Sequence, residues 1–254
     1  MIEHFVRQEV IEICRLMHSK GFVAATDGNV SVRLRDGNVL CTPNNVSKGL
    51  VKPEELLIVN MEGEPVGPRY GPARLLKPSS EIRLHLEAYK QRPDVKAVVH
   101  AHPPVALALS IAGISLARCL LPEVIVTLGL IPTLPYALPA SAESAALISE
   151  PIKRYDALLL ERHGTVTVGS SALEAYLKLE KVEHTAQITL TLLQLGREKP
   201  FPASEVSRLV RLRQEKGLMK PGEAEELCKA CGVCDLLGGC PADRDRKGTE
   251  GYDS

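Results

Sequence analysis

The chain contains no tryptophan and only three phenylalanines among 254 residues, and aromatic residues make up 4% of it. An aromatic core is therefore excluded. The interior has to be built from the Leu, Val, Ile and Ala that dominate a 44% apolar composition. Net charge is also lacking, since Lys plus Arg and Asp plus Glu are balanced at 31 each and no long basic block occurs. That argues against a broad nucleic-acid footprint and leaves small, locally held phosphates as the anions to consider. No apolar run approaches the ~18 residues of a membrane span. The N-terminus opens as an amphipathic helix without a signal-peptide pattern, so no membrane partner and a cytoplasmic location are expected. No repeat occurs, and no linker before about residue 220.

Apolar positions at Val6, Val10, Ile13 and Met17 give a helical stripe over 3–20, stopped by Gly21. Residues 22–40 alternate like a strand pair around the turn signal Asp36-Gly37. A strand is expected over 56–60, a Gly- and Pro-rich loop over 66–78, and a helix from Pro78-Ser79-Ser80-Glu81 to Gln91. A buried strand over 95–102 and a short helix over 103–112 follow. Strands are expected near 123–128, 156–162 and 165–169, with helices near 141–153, 171–195 and 203–217. Mixed hairpins and helices on one core indicate an α/β or α+β domain over 1–220. Residues 221–254 form a Gly-, Cys- and charge-rich tail.

His100 and His102 close the apolar strand. Residues two apart on a strand share a face, which sets two imidazoles side by side. They are either two half-exposed strand histidines or half of a metal site. His163, at the end of a second apolar run, favours the metal, because three imidazoles are a common first shell for a catalytic Zn²⁺ with an open position. Glu81 starts a helix beside Ser79 and Ser80. A carboxylate there is stabilised by the helix N-terminus, and the serines are ordinary caps. The same free N–H groups and hydroxyls also suit an anion. The loops Thr26-Asp27-Gly28-Asn29 and Thr42-Pro43-Asn44-Asn45-Val46-Ser47-Lys48-Gly49 offer hydroxyl, amide and ammonium donors to the same phosphate.

Taken in order, T-D-G-N-V-S, T-P-N-N-V-S-K-G, K-P-S-S-E, V-V-H-A-H and R-H-G resemble the class II aldolase and adducin-head family over residues 3–196. The resemblance implies a three-layer α/β/α sandwich with a largely antiparallel central sheet, and a homotetramer with active sites between subunits. It implies that His100, His102 and His163 bind Zn²⁺, with Mn²⁺ or Co²⁺ as substitutes. It makes Glu81 the acid/base and Asn29, Ser79 and Ser80 the phosphate binders, with Thr26 beside them. The implied substrate is a small phosphorylated sugar: a ketose 1-phosphate cleaved to dihydroxyacetone phosphate and an aldehyde.

Three departures from the family pattern matter. Asn44-Asn45 stands where a Thr-Gly or Ser-Gly loop wraps the phosphate. Leu120-Leu121-Pro122-Glu123 stands where a tyrosine protonates the leaving aldehyde, so Glu123 is either a substitute acid or the cap of a strand. Glu81 stands where epimerases carry Asp and dehydratases Cys. That favours carbon–carbon cleavage, by an aldolase or by a decarboxylase on the same scaffold, over dehydration or epimerisation. A non-enzymatic binding module of the adducin type would not need all three histidines and Glu81.

Cys14, Cys41 and Cys119 read as ordinary buried thiols. Cys228, Cys231, Cys234 and Cys240 lie beyond the family region. Four thiolates can hold a second, structural metal such as Zn²⁺. Their spacing also resembles an iron–sulfur run with its last gap too long. A metal-free tail is the plainest reading of these residues, with zinc next and a cluster or redox pair after it.

Overall fold

A computed structural model describes residues 2–67, 71–199 and 201–230, except the side chains of Ile2, Pro72 and Cys228. The N-terminal stripe forms helix α1 (Ile2–Ser19), and Gly21 follows with φ +71°. Strands β1 (Asn29–Arg33), β2 (Val39–Cys41), β3 (Leu57–Val59) and β4 (Ala97–Ala101) build one half of the sheet. Strands β5 (Thr133–Leu134), β6 (Ala157–Leu160) and β7 (Gly164–Gly169) build the other. The order is β3-β2-β1-β4-β7-β6-β5. Every neighbouring pair is antiparallel except β5 with β6. The sheet is therefore largely antiparallel, and two cores flank it.

Alternation along the strands divides the two faces. Val30, Val32, Ala97, Val99 and Ala101 join α1 and helix α6 (Ala172–Leu195) in one core. Val39, Cys41, Val98, Leu158, Leu160, Val166 and Val168 join helix α2 (Ile82–Gln91) and helix α5 (Ala142–Ile148) in the other. Each fully buried Leu or Ile contributes roughly 1.5–3 kcal/mol. With no tryptophan to fill space, the two cores rest on many such small contributions. None of the described helices is long and apolar enough to cross a membrane.

Helix α3 (Pro104–Ile111) follows β4 directly and is held by Glu183 of α6, whose carboxylate accepts from Val105 N and Ala106 N at 3.0 and 2.9 Å. The run 123–128, expected as a strand, is instead helix α4 (Pro122–Thr127). Its Val-Ile-Val favours strands, but Pro122 sits at a helix-entry position and Gly129 follows with φ +75°. Proline at the start and glycine just past the end are helix punctuation, and burial of Val124, Ile125 and Val126 overrides intrinsic preference. The helix expected over 141–153 is α5 plus a separate 3-10 turn at Pro151–Lys153, because Pro151 cannot continue an α-helix.

After helix α7 (Ala203–Glu215) the chain returns as helix α8 (Glu223–Ala230), an element the tail's composition did not suggest. Leu227 is fully buried against α4 and α7. Glu223 is also buried and accepts from Arg213 at 2.9 Å. Cys14 and Cys41 are buried and free, and burial pushes both thiols up to about 12. Cys119 is not the buried thiol its isolation suggested: it is half-buried and disulfide-bonded. Cys231, Cys234 and Cys240 lie outside the described residues, as does the Cys228 side chain.

Candidate metal centre

Four side chains from three parts of the chain converge at the end of β4. His100 lies in β4 and His102 one residue beyond it. His163 sits in the turn between β6 and β7. Glu81 is the residue entering α2. One donor atom from each lies within 4.8 Å of all the others. Two backbone features bring His163 in. Arg162 takes the left-handed φ of +57°, and Gly164 opens β7 against β4. A Cβ at Gly164 would lie 2.3 Å from the Ala101 carbonyl oxygen and 2.6 Å from His102 Cδ2, so only glycine permits this approach.

Glu81 stands at the N-cap position of α2 rather than within its first turn, and its side chain caps nothing. The carboxylate turns inward. Oε2 lies 3.0 Å from His100 Nε2 and accepts from Asn29 Nδ2 at 3.3 Å. Oε1 lies 2.9 Å from His163 Nε2 but off the angle of a hydrogen bond, so this buried oxygen has no hydrogen-bond partner among the described residues. Burial alone would raise the Glu81 carboxyl, but His100 and then His163 outweigh it and hold it well below the usual carboxylate range.

The tautomers follow from the outer partners. His100 Nδ1 meets the Thr165 carbonyl oxygen at 2.9 Å, and a carbonyl only accepts. Nδ1 therefore carries hydrogen and Nε2 points inward. His102 Nδ1 faces Asp27 Oδ2 at 3.6 Å, which favours hydrogen on that nitrogen too. The two Nε2 atoms then face one another at 3.0 Å, with Glu81 Oε2 also beside His100 Nε2. Lone pairs in that arrangement require a positive charge between them. A proton on His100 supplies it, and so would a metal cation. Burial lowers the His100 pKa, but the Glu81 carboxylate raises it by more. Burial, reinforced by the charge of His100 and His163, pushes His102 down to about 3, leaving a neutral imidazole with a free lone pair. Three imidazoles and one carboxylate form a donor set that fits a divalent cation.

The other residues singled out by sequence fall into two groups. Thr26, Asn44, Asn45, Ser79 and Ser80 lie on loops drawn together beside Glu81. Ser79 N donates to the Thr42 carbonyl, Asn44 N to the Lys77 carbonyl, and Ser79 Oγ accepts from Glu81 N. Thr26, Asn45 and Ser80 are exposed, whereas Asn29 and Ser79 are buried. Lys48 is not a free donor to an anion. It is buried, and its ammonium donates to the Thr26 and Val46 carbonyls at 2.7 Å each, tying the two loops together. Glu123 stands apart: it is exposed in the first turn of α4 and is no member of the metal-ligand group. Sequence reasoning left Asp27 and Thr165 without roles. Asp27 was readable as the neighbour of Asn29 in the first motif, but Thr165 acts through its backbone, which no motif records.

The geometry agrees with comparisons to known proteins. A model of the class II aldolase and adducin N-terminal domain matches residues 8–190. The L-fuculose phosphate aldolase of Methanococcus maripaludis is 34% identical over 188 residues, covering 74% of this chain and 97% of that protein. The 3-oxo-tetronate 4-phosphate decarboxylase of Escherichia coli is 33% identical over 195 residues, covering 75% and 89%. The crystal structure of L-fuculose-1-phosphate aldolase from Thermus thermophilus superposes with a TM-score of 0.65 at 32% identity, covering 77% of this chain and 98% of that one. With a family model matching most of its length and relatives above 30% identity covered nearly end to end, the chain belongs to the class II aldolase and adducin N-terminal domain family.

Proposed function

We propose that this protein is a divalent-metal-dependent lyase that breaks the bond between the α and β carbons of the carbonyl of a small phosphorylated sugar. The observation that carries the reading is the convergence of His100, His102, His163 and Glu81 with two imidazole nitrogens opposed at 3.0 Å. Zn²⁺ is the first candidate for these donors, with Mn²⁺ or Co²⁺ able to substitute. A cation held there supplies Lewis-acid stabilisation of the negative charge that develops on the carbonyl oxygen.

The leading reaction is retro-aldol cleavage of a ketose 1-phosphate. The C4 hydroxyl loses its proton, the C3–C4 bond breaks, the aldehyde departs, and the enediolate left behind is protonated at C3 to give dihydroxyacetone phosphate. Glu81 is the group to move protons on the substrate oxygens and at C3, because its buried carboxylate already lies among the histidines. The phosphate is assigned to the cradle of Thr26, Asn29, Asn44, Asn45, Ser79 and Ser80. The positive end of the α2 dipole favours an anion there. Asn45 supports this placement in one respect: its φ of +57° supplies the left-handed turn that glycine otherwise provides.

A second reading, decarboxylation of a keto-acid sugar phosphate, is favoured by one observation. Glu123 is exposed on α4 and outside the cluster, so within the described residues of one chain it does not stand where it could take the C4 hydroxyl proton as the aldehyde leaves. Loss of CO₂ from a carboxylate yields the same kind of enediolate and has no C4 hydroxyl proton to remove. In the aldolase reading, a neighbouring subunit completes the pocket and brings Glu123 into it. The exposed Leu173, Leu177, Leu190 and Leu193 of α6 support assembly, expected as a homotetramer. The deciding experiment offers metal-loaded protein a panel of ketose 1-phosphates and phosphorylated keto acids, assaying dihydroxyacetone phosphate and CO₂ in parallel. Release of neither, with one metal bound per chain, would leave a binding module. Light scattering gives the assembly.

A further inference from the structure

Strand β1 and helix α2 face one another with polar side chains at their inner positions. On β1 these are Asn29, Ser31 and Arg33, alternate residues and hence on one face. Opposite them stand Glu81, His85 and Tyr89, four apart and hence stacked along one face of α2. The two rows meet rung by rung. Asn29 Nδ2 donates to Glu81 Oε2 at 3.3 Å. Ser31 Oγ lies 2.7 Å from His85 Nδ1 and 2.8 Å from Tyr89 Oη. Arg33 donates to the Tyr89 carbonyl, and its guanidinium lies over the Tyr89 ring, 4.8 Å from the centroid. Ser31, His85 and Tyr89 are fully buried. The sheet register sets Asn29 opposite His100, so the top of this column adjoins the metal centre.

His85 is the odd member. Burial, with the nearby charge of His100, pushes its pKa down to about 3, so the ring is neutral, with one donor and one acceptor nitrogen. Nδ1 is used by Ser31. Nε2 is buried with no hydrogen-bond partner among the described residues, as is Oδ1 of Asn29. A leucine would fill the same space without burying an unpaired nitrogen, so packing alone gives no reason for histidine here. His85 is also not a member of the metal-ligand group.

We propose that His85 is a positioning residue: through Ser31 and Tyr89 it fixes the rotation of α2 against β1, so that Glu81 at the helix entrance is held on His100 and His163. The hydrogen bonds along the column transmit this constraint, since a turn of α2 about its axis would break the Ser31 bonds and lift Glu81 off the histidines together. This inference rests on the assignment of Glu81 as the acid/base.

The test compares His85→Leu, His85→Asn and Ser31→Ala with the parent protein, each loaded with Co²⁺, whose visible spectrum reports ligand set and geometry. His85→Leu should keep about one metal per chain and a KM within about twofold of the parent. Its kcat should fall roughly 10–100-fold, the range for residues that orient a metal site from outside it, and its cobalt spectrum should shift. Ser31→Ala should change both readouts in the same direction by less. His85→Asn, whose amide can reach Ser31 Oγ as Nδ1 does, should recover most of the loss. Parental spectra and kcat in both His85→Leu and Ser31→Ala would overturn the proposal. A lowered melting temperature with unchanged spectrum and kcat would also overturn it, by showing a structural role only. If His85→Leu does not fold, Ser31→Ala carries the same test. If the parent turns over no sugar phosphate, the reading of Glu81 fails, while the cobalt spectra still decide whether the column positions its carboxylate.

Discussion

Two polar clusters in this molecule, one half-buried around Asp156 and one buried around Glu81, obey opposite rules. Around Asp156, at the start of β6, every charge meets its opposite. Arg92 Nη1 lies 3.1 Å and Lys178 Nζ 2.9 Å from its carboxylate, and Lys220 also donates to it. Lys178 additionally donates to the Val168 carbonyl and pairs with Glu174. Around Glu81, by contrast, two imidazole nitrogens are pressed together at 3.0 Å and a buried carboxylate oxygen has no hydrogen-bond partner among the described residues. The first cluster is complete as it stands and joins the end of α2, β6, α6 and the segment after α7. The second is satisfied only by an added positive charge. A closed set of charges is an argument for structure. An open set of like donors, held apart from water by rigid strands, is an argument for ligand binding. Predictions that treat the two clusters as different in kind can therefore be broken by showing that they behave alike.

The largest effects belong to the open cluster and should fall on chemistry. Glu81→Gln preserves size but removes the titrating proton. Turnover should drop by roughly 10²–10⁴-fold with metal content unchanged, as read by steady-state kinetics and metal analysis. His102→Ala should lose both metal and activity. If Glu81→Gln turned over normally, the proton role would pass elsewhere, with Glu123 the first residue to substitute. Ser80→Ala should raise KM for a phosphorylated ketose more than for its unphosphorylated analogue. Equal effects on both would remove the phosphate from this cradle.

Next in size is a prediction about where the body of the protein ends. Composition places a boundary near residue 220, yet Arg213 and Glu223 form a buried pair across it. Arg213 also donates to the Val126 carbonyl, so the pair holds α4 as well. Removing one member leaves an uncompensated buried charge, worth about 3–5 kcal/mol. Truncation after Lys220 and Glu223→Gln should therefore both lower the denaturant midpoint strongly. Truncation after Ala230, which keeps the pair and discards Cys231, Cys234 and Cys240, should leave the midpoint and the turnover close to those of the full chain when both are measured under reducing conditions, with the Cys119 disulfide open in each. A metal lost with those cysteines while the histidine site stays loaded would reveal a separate structural site.

Much of the centre was legible because its signals are local. His100 and His102 announce themselves by strand alternation, and a turn after an apolar strand marks His163. The sheet halves follow from period-two runs. What stayed hidden depends on tertiary context. The Val-Ile-Val of α4 reads as a strand until Pro122 and Gly129 are weighed as punctuation. The two-residue β5 is too short to carry a period. Lys48 looks like a phosphate donor in sequence, and only the fold shows both loops already occupying its ammonium. The burial of Ser31, His85 and Tyr89 cannot be read from either strand or helix alone, since each is polar on its own element and paired only across the two.

Chelation gives a smaller but direct contrast. A ligand that binds only the folded state stabilises it by about 2.7 kcal/mol at a hundred times its Kd. Stripping metal should therefore lower the melting temperature of the parent. It should do so much less in His102→Ala, and by the full parental amount in Asp156→Asn. An equal response in all three would mean that the metal sits elsewhere.

The smallest expected effect comes from the closed cluster, and its sign with pH is fixed. Burial alone would raise the Asp156 carboxyl, but Lys178 and Lys220 outweigh it and bring it well below its ordinary value of 3.8. A carboxyl depressed in the folded state binds protons more readily once unfolded. Its contribution to stability is thus fully present above the unfolded value and declines as pH falls through the folded one. Asp156→Asn removes that contribution and leaves three cations around a neutral amide, at a cost of about 2 kcal/mol for this slightly exposed group. Urea midpoints of the parent and of Asp156→Asn should differ by a constant amount above about pH 5 and converge as the solution is made more acidic. Turnover at neutral pH should be the same in both, because no atom of this cluster touches the histidines. A gap that widened toward low pH would mean that Asp156 is protonated in the folded protein. A fall in turnover would mean that the two clusters are coupled and that the contrast between them does not hold.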